Sequence, residues 1–414
     1  MRALISSGFS EGHALPALSL ANAMHKRGHE VHVGLSQRWR EPIEACGMGF
    51  FEVEEYVVFP AVTPPSPRPT VVDAARRLLA SIQELRPDVV ISDFASPAPA
   101  LAAEMAGVRN ATLIATLYPV QGAGMPPFAL GLQAPRTAAG AALWRRLEPG
   151  LHGLRSSTRW LARVPGLLDG VRTELGLAPV AGEPAFTTYG PISDGLAMVC
   201  SFPQLEYPRR WPESVHVTGP MHFDLDHRDG AISPPSDEPL VLVATSTVQD
   251  PGFELVRTAI EALDGEPVGV LATLNRRGEH WRHPLAANVT VVDWLDYATV
   301  MPRASLVITN GGHGTVTRAL SEGVPVLVCP AEADTAENGA RVTWAGVGLS
   351  LPRRLRSANA IKRSVRYLLA RPEFADRAGE LAAWGRANDG AIRGAELVER
   401  YVLDSPLVSS GEPR

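Results

Sequence analysis

Short runs of apolar, β-branched residues alternate along the chain with longer segments whose apolar residues recur at helical spacing. The runs cover residues 2–6, 31–35, 88–92, 112–117, 240–245, 267–272, 289–293, 305–309 and 324–328. Nearly continuous apolar character over so few residues is typical of parallel strands that are buried on both faces. Repeated strand–helix alternation therefore predicts an α/β fold with open parallel sheets.

The alternation stops over residues 202–238, a stretch rich in proline. Proline lacks a backbone donor and interrupts helices and strands, so this stretch indicates a linker between two α/β domains. We expect an N-terminal domain over residues 1–215, a linker over 216–238 and a second domain over 239–390. Ligands of open α/β sheets bind beyond the carboxyl ends of the strands, so the loops at those ends are the candidate sites.

Composition narrows the class of protein. A chain of 414 residues can bury a large core, and its net charge of −5 leaves no basic domain for nucleic acid. The sequence contains no apolar stretch long enough to span a membrane, and its N-terminus does not have the pattern of a signal peptide. Cys46, Cys200 and Cys329 are too far apart for a zinc spacing or a disulfide framework. These features predict a cytoplasmic protein.

The strongest chemical signal is Asn-Gly-Gly-His-Gly-Thr at residues 310–315, between an apolar run and a helical pattern. Glycines let the backbone approach a ligand closely, and a helix N-terminus offers free amides and partial positive charge to an anion. The spacing matches neither a P-loop nor a dinucleotide-binding fingerprint, which disfavours a P-loop nucleotidase and an NAD enzyme. A glycine-rich turn that serves only tight packing is the alternative.

The residues around this loop extend the pattern. It is preceded by Val292-Asp293-Trp294-Leu295 and followed by Gly323-Val324-Pro325, Pro330, Asp334 and Asn338. In this order and spacing, residues 291–348 resemble the donor-binding signature of nucleotide-sugar glycosyltransferases of the GT-B fold, in particular the family-1 enzymes that glycosylate natural products. The segments around His13, Asp93 and residues 205–220 resemble other parts of the same family, so the resemblance covers most of the chain.

The resemblance implies two Rossmann-like domains whose parallel sheets face each other across a cleft, with residues 391–414 packing back on the first. The second domain would bind a nucleotide-sugar donor, with Trp294 stacked on the base, the loop amides on the pyrophosphate and Asp334 on sugar hydroxyls. The implied donor-binding residues are Ser246, Thr247, Trp294, Asn310, Gly311, Gly312, His313, Gly314, Thr315, Asp334 and Thr335. The alternatives are that Trp294 is a core residue, that the loop residues with Ser246 and Thr247 are ordinary turn residues, and that Asp334 is a helix N-cap. A structural role suits Asn338 equally well.

His13 matches the general base of this family, which removes the proton of an acceptor hydroxyl. Asp93 would orient His13 and stabilise its imidazolium form. Their alternative roles are a capping or solvent-facing histidine and a turn-forming aspartate, while His29 is expected to be structural. The implied reaction is a single inverting displacement with no metal or other cofactor, because helix amides neutralise the leaving diphosphate. An NDP-sugar epimerase and a non-catalytic NDP-sugar-binding partner are the alternatives.

Several positions depart from the family signature. Asn310 replaces its histidine, and His313 appears three positions later. Thr335 replaces a glutamine that grips sugar hydroxyls, and Arg318 stands where many members carry a glutamate for the ribose. Because two polar contacts are lost, we expect a donor with fewer hydroxyls, a dTDP-linked deoxysugar. Asp296 and Tyr297 replace residues that lie beside the base.

The first domain would bind a hydrophobic, hydroxylated small molecule, for which methionine and aromatic side chains are suited. The candidates are Tyr118, Met125, Phe128, Trp144 and Trp160, although core packing is the more frequent role for any one of them. Asp224-Leu225-Asp226, flanked by His222 and His227, has the composition of a metal motif, but its position favours a solvated linker. We expect a monomer or a homodimer.

Overall fold

The computed structural model describes the chain except for residues 9, 59–65, 158–163, 180–185, 188–189, 226–237, 246–249, 251, 276–280, 282, 332–333 and 405–414. Its strands form one sheet of seven strands, one of six and a small two-stranded pair. Neighbouring strands in both large sheets are parallel, which confirms the predicted α/β fold.

The first large sheet is built from the N-terminal half of the chain. Its strands are β1 (Arg2–Ser6), β2 (Glu30–Leu35), β3 (Gly49–Glu52), β4 (Val89–Asp93), β5 (Arg109–Ile114), β8 (Ala197–Val199) and β9 (Val215–Val217). Their spatial order is β3-β2-β1-β4-β5-β8-β9. The antiparallel pair β6 (Phe186–Thr187) and β7 (Gly190–Pro191) lies between β5 and β8 in the chain.

The second large sheet comes from the C-terminal half. Its strands are β10 (Leu240–Ala244), β11 (Gly269–Thr273), β12 (Val289–Val292), β13 (Leu306–Thr309), β14 (Val326–Val328) and β15 (Gly348–Ser350). Their order is β12-β11-β10-β13-β14-β15. In both sheets the strand order reverses beside the first strand, so each sheet has a topological switch point at which a crevice opens.

Helices cover both faces of the two sheets. In chain order they are α1 (Glu11–Lys26), α2 (Arg40–Ala45), α3 (Val71–Leu85), α4 (Ala98–Ala106), α5 (Ala138–Ser157), α6 (Val164–Glu174), α7 (Glu254–Leu263), α8 (Tyr297–Val300), α9 (His313–Ser321), α10 (Asp334–Ala345), α11 (Ala358–Leu369), α12 (Pro372–Ala387) and α13 (Gly390–Asp404). Among the helices of the described part of the chain, none is both long enough and apolar enough to cross a membrane.

Each predicted apolar run overlaps a strand, whereas the pattern did not reveal β3, β6, β7, β8, β9 or β15. These six strands have only two to four residues each, too few to show a period. Strand β9 crosses the predicted start of the linker at residue 216, so the first sheet extends to Val217.

The C-terminal helix α13 packs on α1 of the N-terminal domain. Ala391, Ala395 and Val398 are buried in the same apolar cluster as the inner face of α1. Glu399 accepts hydrogen bonds from Arg27 Nε and from His29 Nε2, both at 2.7 Å. His29 therefore has a structural contact far from the carboxyl ends of the strands.

Acid should weaken this attachment. Hydrogen bonds from Arg27 and His29 outweigh the effect of burial and lower the pKa of Glu399 from 4.5 to about 2. A carboxylate with a lowered pKa stabilises the fold above its unfolded-state pKa and loses that contribution as pH falls towards the folded-state value. We expect Glu399→Gln to cost about 1–2 kcal/mol at pH 6, since the contacts are charge-assisted but partly exposed.

Urea denaturation across pH tests this expectation. The difference between the wild type and Glu399→Gln should shrink as pH falls from about 4.5 towards 2. Glu373→Gln is the matched control, because Glu373 and its partner Arg371 are both exposed. A difference that persists unchanged at low pH would exclude this carboxylate as the acid-sensitive group.

Candidate active site

The switch point of the first sheet brings the loops after β1 and β4 together. The two strands are neighbours, with Ser6 paired to Ser92, so their carboxyl ends lie side by side. His13 lies in the first turn of α1, just beyond β1, and Asp93 is the last residue of β4. The parallel register therefore brings together two side chains that are eighty residues apart.

His13 and Asp93 form a hydrogen-bonded pair. His13 Nδ1 lies 2.7 Å from Asp93 Oδ2, the Asp93 side chain is fully buried, and 29% of the His13 side chain is exposed. The Asp93 carboxylate also accepts the backbone N–H of Ala95 at 2.6 Å, and the Ser7 Oγ atom lies 3.3 Å from Asp93 Oδ2. With Nδ1 donating to Asp93, the Nε2 atom of a neutral His13 carries the lone pair. This is the arrangement of a general base with its orienting carboxylate.

Two residues near this pair were not singled out from the sequence. The Ser7 hydroxyl donates to the backbone oxygen of His13 at 2.8 Å, and the Phe94 ring lies 5.9 Å from the His13 ring between centroids. Phe94 directly follows Asp93 at a strand end, and that position was the only available signal. Phe94 is half-buried and places an apolar ring beside His13.

Asp334 of the second domain lies close enough to His13 for the two charges to interact. Burial opposes the charged form of His13, but the charges of Asp93 and Asp334 outweigh it and raise the pKa of His13. Burial raises the pKa of Asp334, against the effects of His313 and His13. The first residue of α10 therefore lies within electrostatic range of His13.

The loop at residues 310–315 joins β13 to α9, and β13 is the neighbour of β10 at the second switch point. Gly311 adopts φ +90°, and a Cβ there would lie 2.7 Å from Val328 Cγ1 and 2.9 Å from the backbone oxygen of Thr335. Only glycine fits that position. A Cβ on Gly312 or Gly314 would meet nothing within 4 Å, so these glycines leave open space at the start of α9.

His313 and Asn338 lie behind this loop. Asn338 Nδ2 donates to the Gly311 backbone oxygen at 2.9 Å, and Asn338 Oδ1 lies 2.9 Å from His313 Nδ1. His313 Nε2 lies 3.0 Å from the backbone oxygen of Cys200, which follows β8 of the first sheet. Both ring nitrogens of His313 thus bind protein atoms, and the residue joins the two domains.

The remaining donor candidates lie at the same edge of the second sheet. Trp294 is half-buried directly after β12, Asn310 is buried, and Thr315 lies partly exposed on the first turn of α9. Thr335 is buried, and its hydroxyl accepts the backbone N–H of Ala331 at 3.2 Å. Ser246 and Thr247 lie outside the described residues. Asp296 caps α8 through the N–H of Ala298.

The Arg318 guanidinium is already paired with acidic side chains. Its NH1 atom lies 2.9 Å from Asp224 Oδ1, and its Nε atom lies 3.6 Å from Glu322. Asp224 of the Asp224-Leu225-Asp226 motif is therefore paired with an arginine. His222, which flanks that motif, has its Nε2 atom 3.1 Å from the Ser321 hydroxyl. Asp226 and His227 lie outside the described residues.

The predicted acceptor residues occupy different surroundings. Tyr118 is buried in an apolar cluster with Ile114 and Val199, whereas Met125, Phe128 and Trp144 are half-buried. Phe128 packs against the apolar core of the second domain. Trp160 lies outside the described residues. The segment that carries three of these residues, 115–137, is here named the acceptor loop.

A buried ion cluster attaches the acceptor loop to α10. Arg341 donates from Nε to Glu337 and from NH1 to Glu206, both at 2.9 Å, and all three side chains are at most 3% exposed. Glu206 also accepts the N–H of Tyr118 at 2.9 Å, and Glu337 accepts that of Ala129 at 3.3 Å. The sequence pattern gave no sign of this cluster, because Glu206 lies 135 positions from Arg341, although Glu337 and Arg341 are four positions apart on α10.

Two protein families match parts of the chain. Residues 254–392 match the C-terminal domain of erythromycin biosynthesis protein CIII-like proteins, and residues 12–172 match glycosyltransferase family 4. Among curated relatives, the 4'-demethylrebeccamycin synthase of Lentzea aerocolonigenes is 27% identical over 97% of this chain and 99% of that protein. The zeaxanthin glucosyltransferase of Pantoea ananas is 26% identical over 81% of this chain and 77% of its own length.

Solved structures of similar fold cover nearly the whole chain. The glycotransferase of kitacinnamycin has a TM-score of 0.76 at 21% identity, covering 97% of this chain and 98% of its own. The glycosyltransferase VinC, solved with dTDP, has a TM-score of 0.66 at 19% identity, covering 98% of this chain and 100% of its own. These likenesses confirm the GT-B fold. The chain thus has the GT-B fold, its residues 254–392 are similar to the C-terminal domain of erythromycin biosynthesis protein CIII-like proteins, and its curated relatives include named glycosyltransferases.

Proposed function

We propose that this protein transfers a deoxysugar from a dTDP-linked donor to a hydroxyl group of a small, largely apolar natural product, with inversion at the anomeric carbon. The observation that carries this proposal is the His13–Asp93 pair, which lies within electrostatic range of Asp334 of the second domain. The pair supplies a base on the acceptor side, and the open glycine loop supplies a diphosphate site on the donor side.

In this proposal His13 removes the acceptor proton through Nε2 as the oxygen attacks the anomeric carbon. The developing imidazolium is stabilised by Asp93, whose carboxylate is fully buried and held by the Ala95 amide. The free amides at the start of α9 receive the charge of the leaving diphosphate, so no metal is required for that task. A single displacement needs no carboxylate nucleophile, so this mechanism requires only His13 as the base and Asp93 as its partner on the acceptor side.

The donor assignment is supported by Arg318 and Thr335, whose polar groups bind other parts of the protein. Arg318 pairs with Asp224, and the Thr335 hydroxyl binds the Ala331 amide. A glutamine at position 335 would reach further and offer two more hydrogen-bonding groups to a sugar. Two glycosyltransferases of similar fold, VinC and SsfS6, have been solved with thymidine diphosphate (dTDP) bound. A thymidine nucleotide with a hydroxyl-poor sugar fits these features.

The experiment is a matrix of dTDP- and UDP-sugars against a panel of hydroxylated aromatic and polyketide acceptors, read by mass spectrometry. We expect product mass to increase by one deoxysugar, with the dTDP donors preferred. Strict preference for UDP-glucose would overturn the donor assignment. Conversion of the donor without an acceptor would establish an epimerase, and binding without turnover would establish a non-catalytic partner. A product with retained anomeric configuration would exclude the single displacement.

The pH dependence of transfer should report the titration of His13. The base must be neutral, so kcat/KM is expected to rise with pH, with a midpoint above 6.5 because Asp93 and Asp334 raise the pKa of His13. In Asp93→Asn one of these charges is lost, and the midpoint should move to lower pH as the rate falls. An unchanged midpoint would show that another group titrates.

A further inference from the structure

Asp93 uses its two carboxylate oxygens for different partners. Its Oδ2 atom lies 2.7 Å from His13 Nδ1, whereas its Oδ1 atom accepts the backbone N–H of Ala95 at 2.6 Å. The Ala95 amide therefore fixes the rotation of the carboxylate and leaves Oδ2 for His13. Ala95 belongs to the turn at residues 94–97, which joins β4 to α4. The position of this turn thus sets the geometry of the His13–Asp93 pair.

The Tyr56 side chain holds the far end of this turn. Its hydroxyl oxygen lies 2.5 Å from the Ser96 hydroxyl oxygen and accepts the backbone N–H of Ala98 at 3.3 Å. Pro97 is the N-cap residue of α4 and provides no side-chain cap, so the phenol satisfies a backbone amide of the first helical turn. The Ser96 backbone N–H donates to the Asp93 backbone oxygen at 3.0 Å. The turn is therefore held by Asp93 at one end and by Tyr56 at the other.

The contact between Tyr56 and Ser96 is buried and joins distant parts of the chain. Tyr56 is 8% exposed and Ser96 is 3% exposed, and forty positions separate them. Tyr56 follows β3, which is separated from β4 in the sheet by β2 and β1. A buried hydrogen bond restrains the turn more firmly than an exposed one, because water does not replace either partner.

The Tyr56 phenol keeps its proton over the pH range in which His13 titrates. Burial is the main cause that raises the pKa of Tyr56, and the charge of Asp93 adds to it. The charged groups that raise the pKa of His13 are Asp93 and Asp334. Tyr56 therefore brings no charge of its own to the pair, and its contribution is the position of Asp93.

We propose that Tyr56 is a positioning residue for the general base, because its hydroxyl holds the turn that directs Asp93 Oδ2 at His13 Nδ1. This inference rests on the proposed function, in which His13 removes the acceptor proton. Asp93 keeps the proton on Nδ1 and so leaves the lone pair on Nε2. Without the Tyr56 hydroxyl the turn loosens, and a larger share of neutral His13 carries its proton on Nε2.

The tautomer of His13 can be measured without any substrate. In protein labelled with ¹⁵N in the histidine rings, the His13 signals are assigned by their loss in His13→Ala. At a pH at which His13 is neutral, the wild type should show the tautomer protonated on Nδ1. Tyr56→Phe should increase the share protonated on Nε2. An unchanged tautomer ratio would overturn the proposal, whether or not the protein transfers a sugar.

Steady-state kinetics then test the consequence for sugar transfer. We expect kcat of Tyr56→Phe to fall about tenfold and the KM values to stay within about threefold, since a displaced catalytic group mainly affects the transition state. The midpoint of kcat/KM against pH should move to lower pH, because Asp93 then raises the pKa of His13 less. Ser96→Ala removes the same contact from the other side and should act alike. The double variant should show no further loss, since the two hydroxyls act as one unit.

Tyr401→Phe is the matched control. The Tyr401 hydroxyl donates to the backbone oxygen of Asn110 at 3.3 Å, near the amino end of β5 and away from the carboxyl edge of the sheet. This variant should keep the kcat, the pH midpoint and the His13 tautomer of the wild type. An equal fall in kcat in Tyr401→Phe would attribute the loss to weakened folding and overturn the proposal.

The outcomes separate the two proposals. If the wild type transfers a sugar and both Tyr56→Phe and Ser96→Ala keep its kcat and pH midpoint, Tyr56 is purely structural and the proposed function stands. If the wild type transfers no sugar while Tyr56→Phe changes the His13 tautomer, the proposed function fails and the positioning of the pair is supported. Should Tyr56→Phe not fold, Ser96→Ala gives the same readouts, because it removes one small hydroxyl.

Discussion

Replacement of His13 by alanine should abolish sugar transfer and leave dTDP binding nearly unchanged. Removal of a positioned general base typically costs about 10²–10⁴-fold in rate. The His13 side chain lies in the acceptor domain and is partly exposed, so its loss leaves neither a large cavity nor a disrupted donor loop. We therefore expect the loss in kcat, with the affinity for dTDP within about threefold of the wild type.

His32→Ala is the matched control, since His32 lies on β2 and pairs with the exposed Glu30. It should keep the wild-type kcat. Asp93→Asn should also lose most of the transfer activity. Its amide oxygen would stay on the Ala95 N–H, so its NH2 would donate to His13 Nδ1 and leave the proton on Nε2, where the base must be free. Full transfer activity in His13→Ala would place the base elsewhere and remove the main support for the proposed mechanism.

Replacement of Arg341 by alanine should destabilise the protein by about 3–5 kcal/mol, the usual cost of stripping a buried ion cluster of one partner. Arg341 is 2% exposed and contacts two carboxylates that are equally buried. Its guanidinium also lies 3.6 Å from the centre of the Tyr207 ring. Without Arg341, Glu206 and Glu337 would be buried with no cation at hydrogen-bonding distance.

Urea denaturation of three variants would measure this cost. Arg366→Ala is the control, because Arg366 pairs with Glu266 at the surface and should contribute about 0–1 kcal/mol. The triple variant Glu206→Gln, Glu337→Gln, Arg341→Met should recover much of the loss, since it leaves no buried charge. Equal stability of Arg341→Ala and Arg366→Ala would show that the buried ion cluster contributes no more to the free energy of unfolding than an exposed ion pair does.

The same cluster should influence acceptor binding. Glu206 and Glu337 hold the backbone of the acceptor loop at Tyr118 and Ala129, while α10 begins at Asp334 on the donor side. A change at Arg341 therefore reaches both substrates through the backbone and not through direct contact. In the triple variant we expect a larger increase in KM for the acceptor than for the donor.

Much of the architecture could be predicted from the sequence, because buried parallel strands carry their own signature. The strands β4, β10, β11 and β13 are buried along their whole length, and each lies in a run of mainly apolar residues. Strands β8 and β9 could not be found in this way. They are three residues long, and they are strands only because β8 pairs with β5 and β9 pairs with β8.

The candidate site also has some features that the local sequence predicts and others that only the fold brings together. The glycine loop is local in sequence, so the need for glycine at residue 311 could be inferred before its φ of +90° was seen. The His13–Asp93 pair spans eighty residues and was expected only by resemblance to a family. The buried contacts of His313 and Arg341 had no sequence signal at all, since a histidine or an arginine in a helix is ordinarily a surface residue.

The order of residues alone thus determined which segments become strands, where the chain bends sharply enough to need glycine, and which polar groups follow strand ends. Those properties depend on neighbours within a few positions, and short-range sterics and hydrophobic period decide them. The tertiary structure alone decided which strand ends lie side by side, which direction His313 faces and which carboxylates share Arg341. Apart from the Glu337–Arg341 pair within α10, those contacts join residues that are from about twenty-five to more than one hundred positions apart, and only the tertiary packing brings them together.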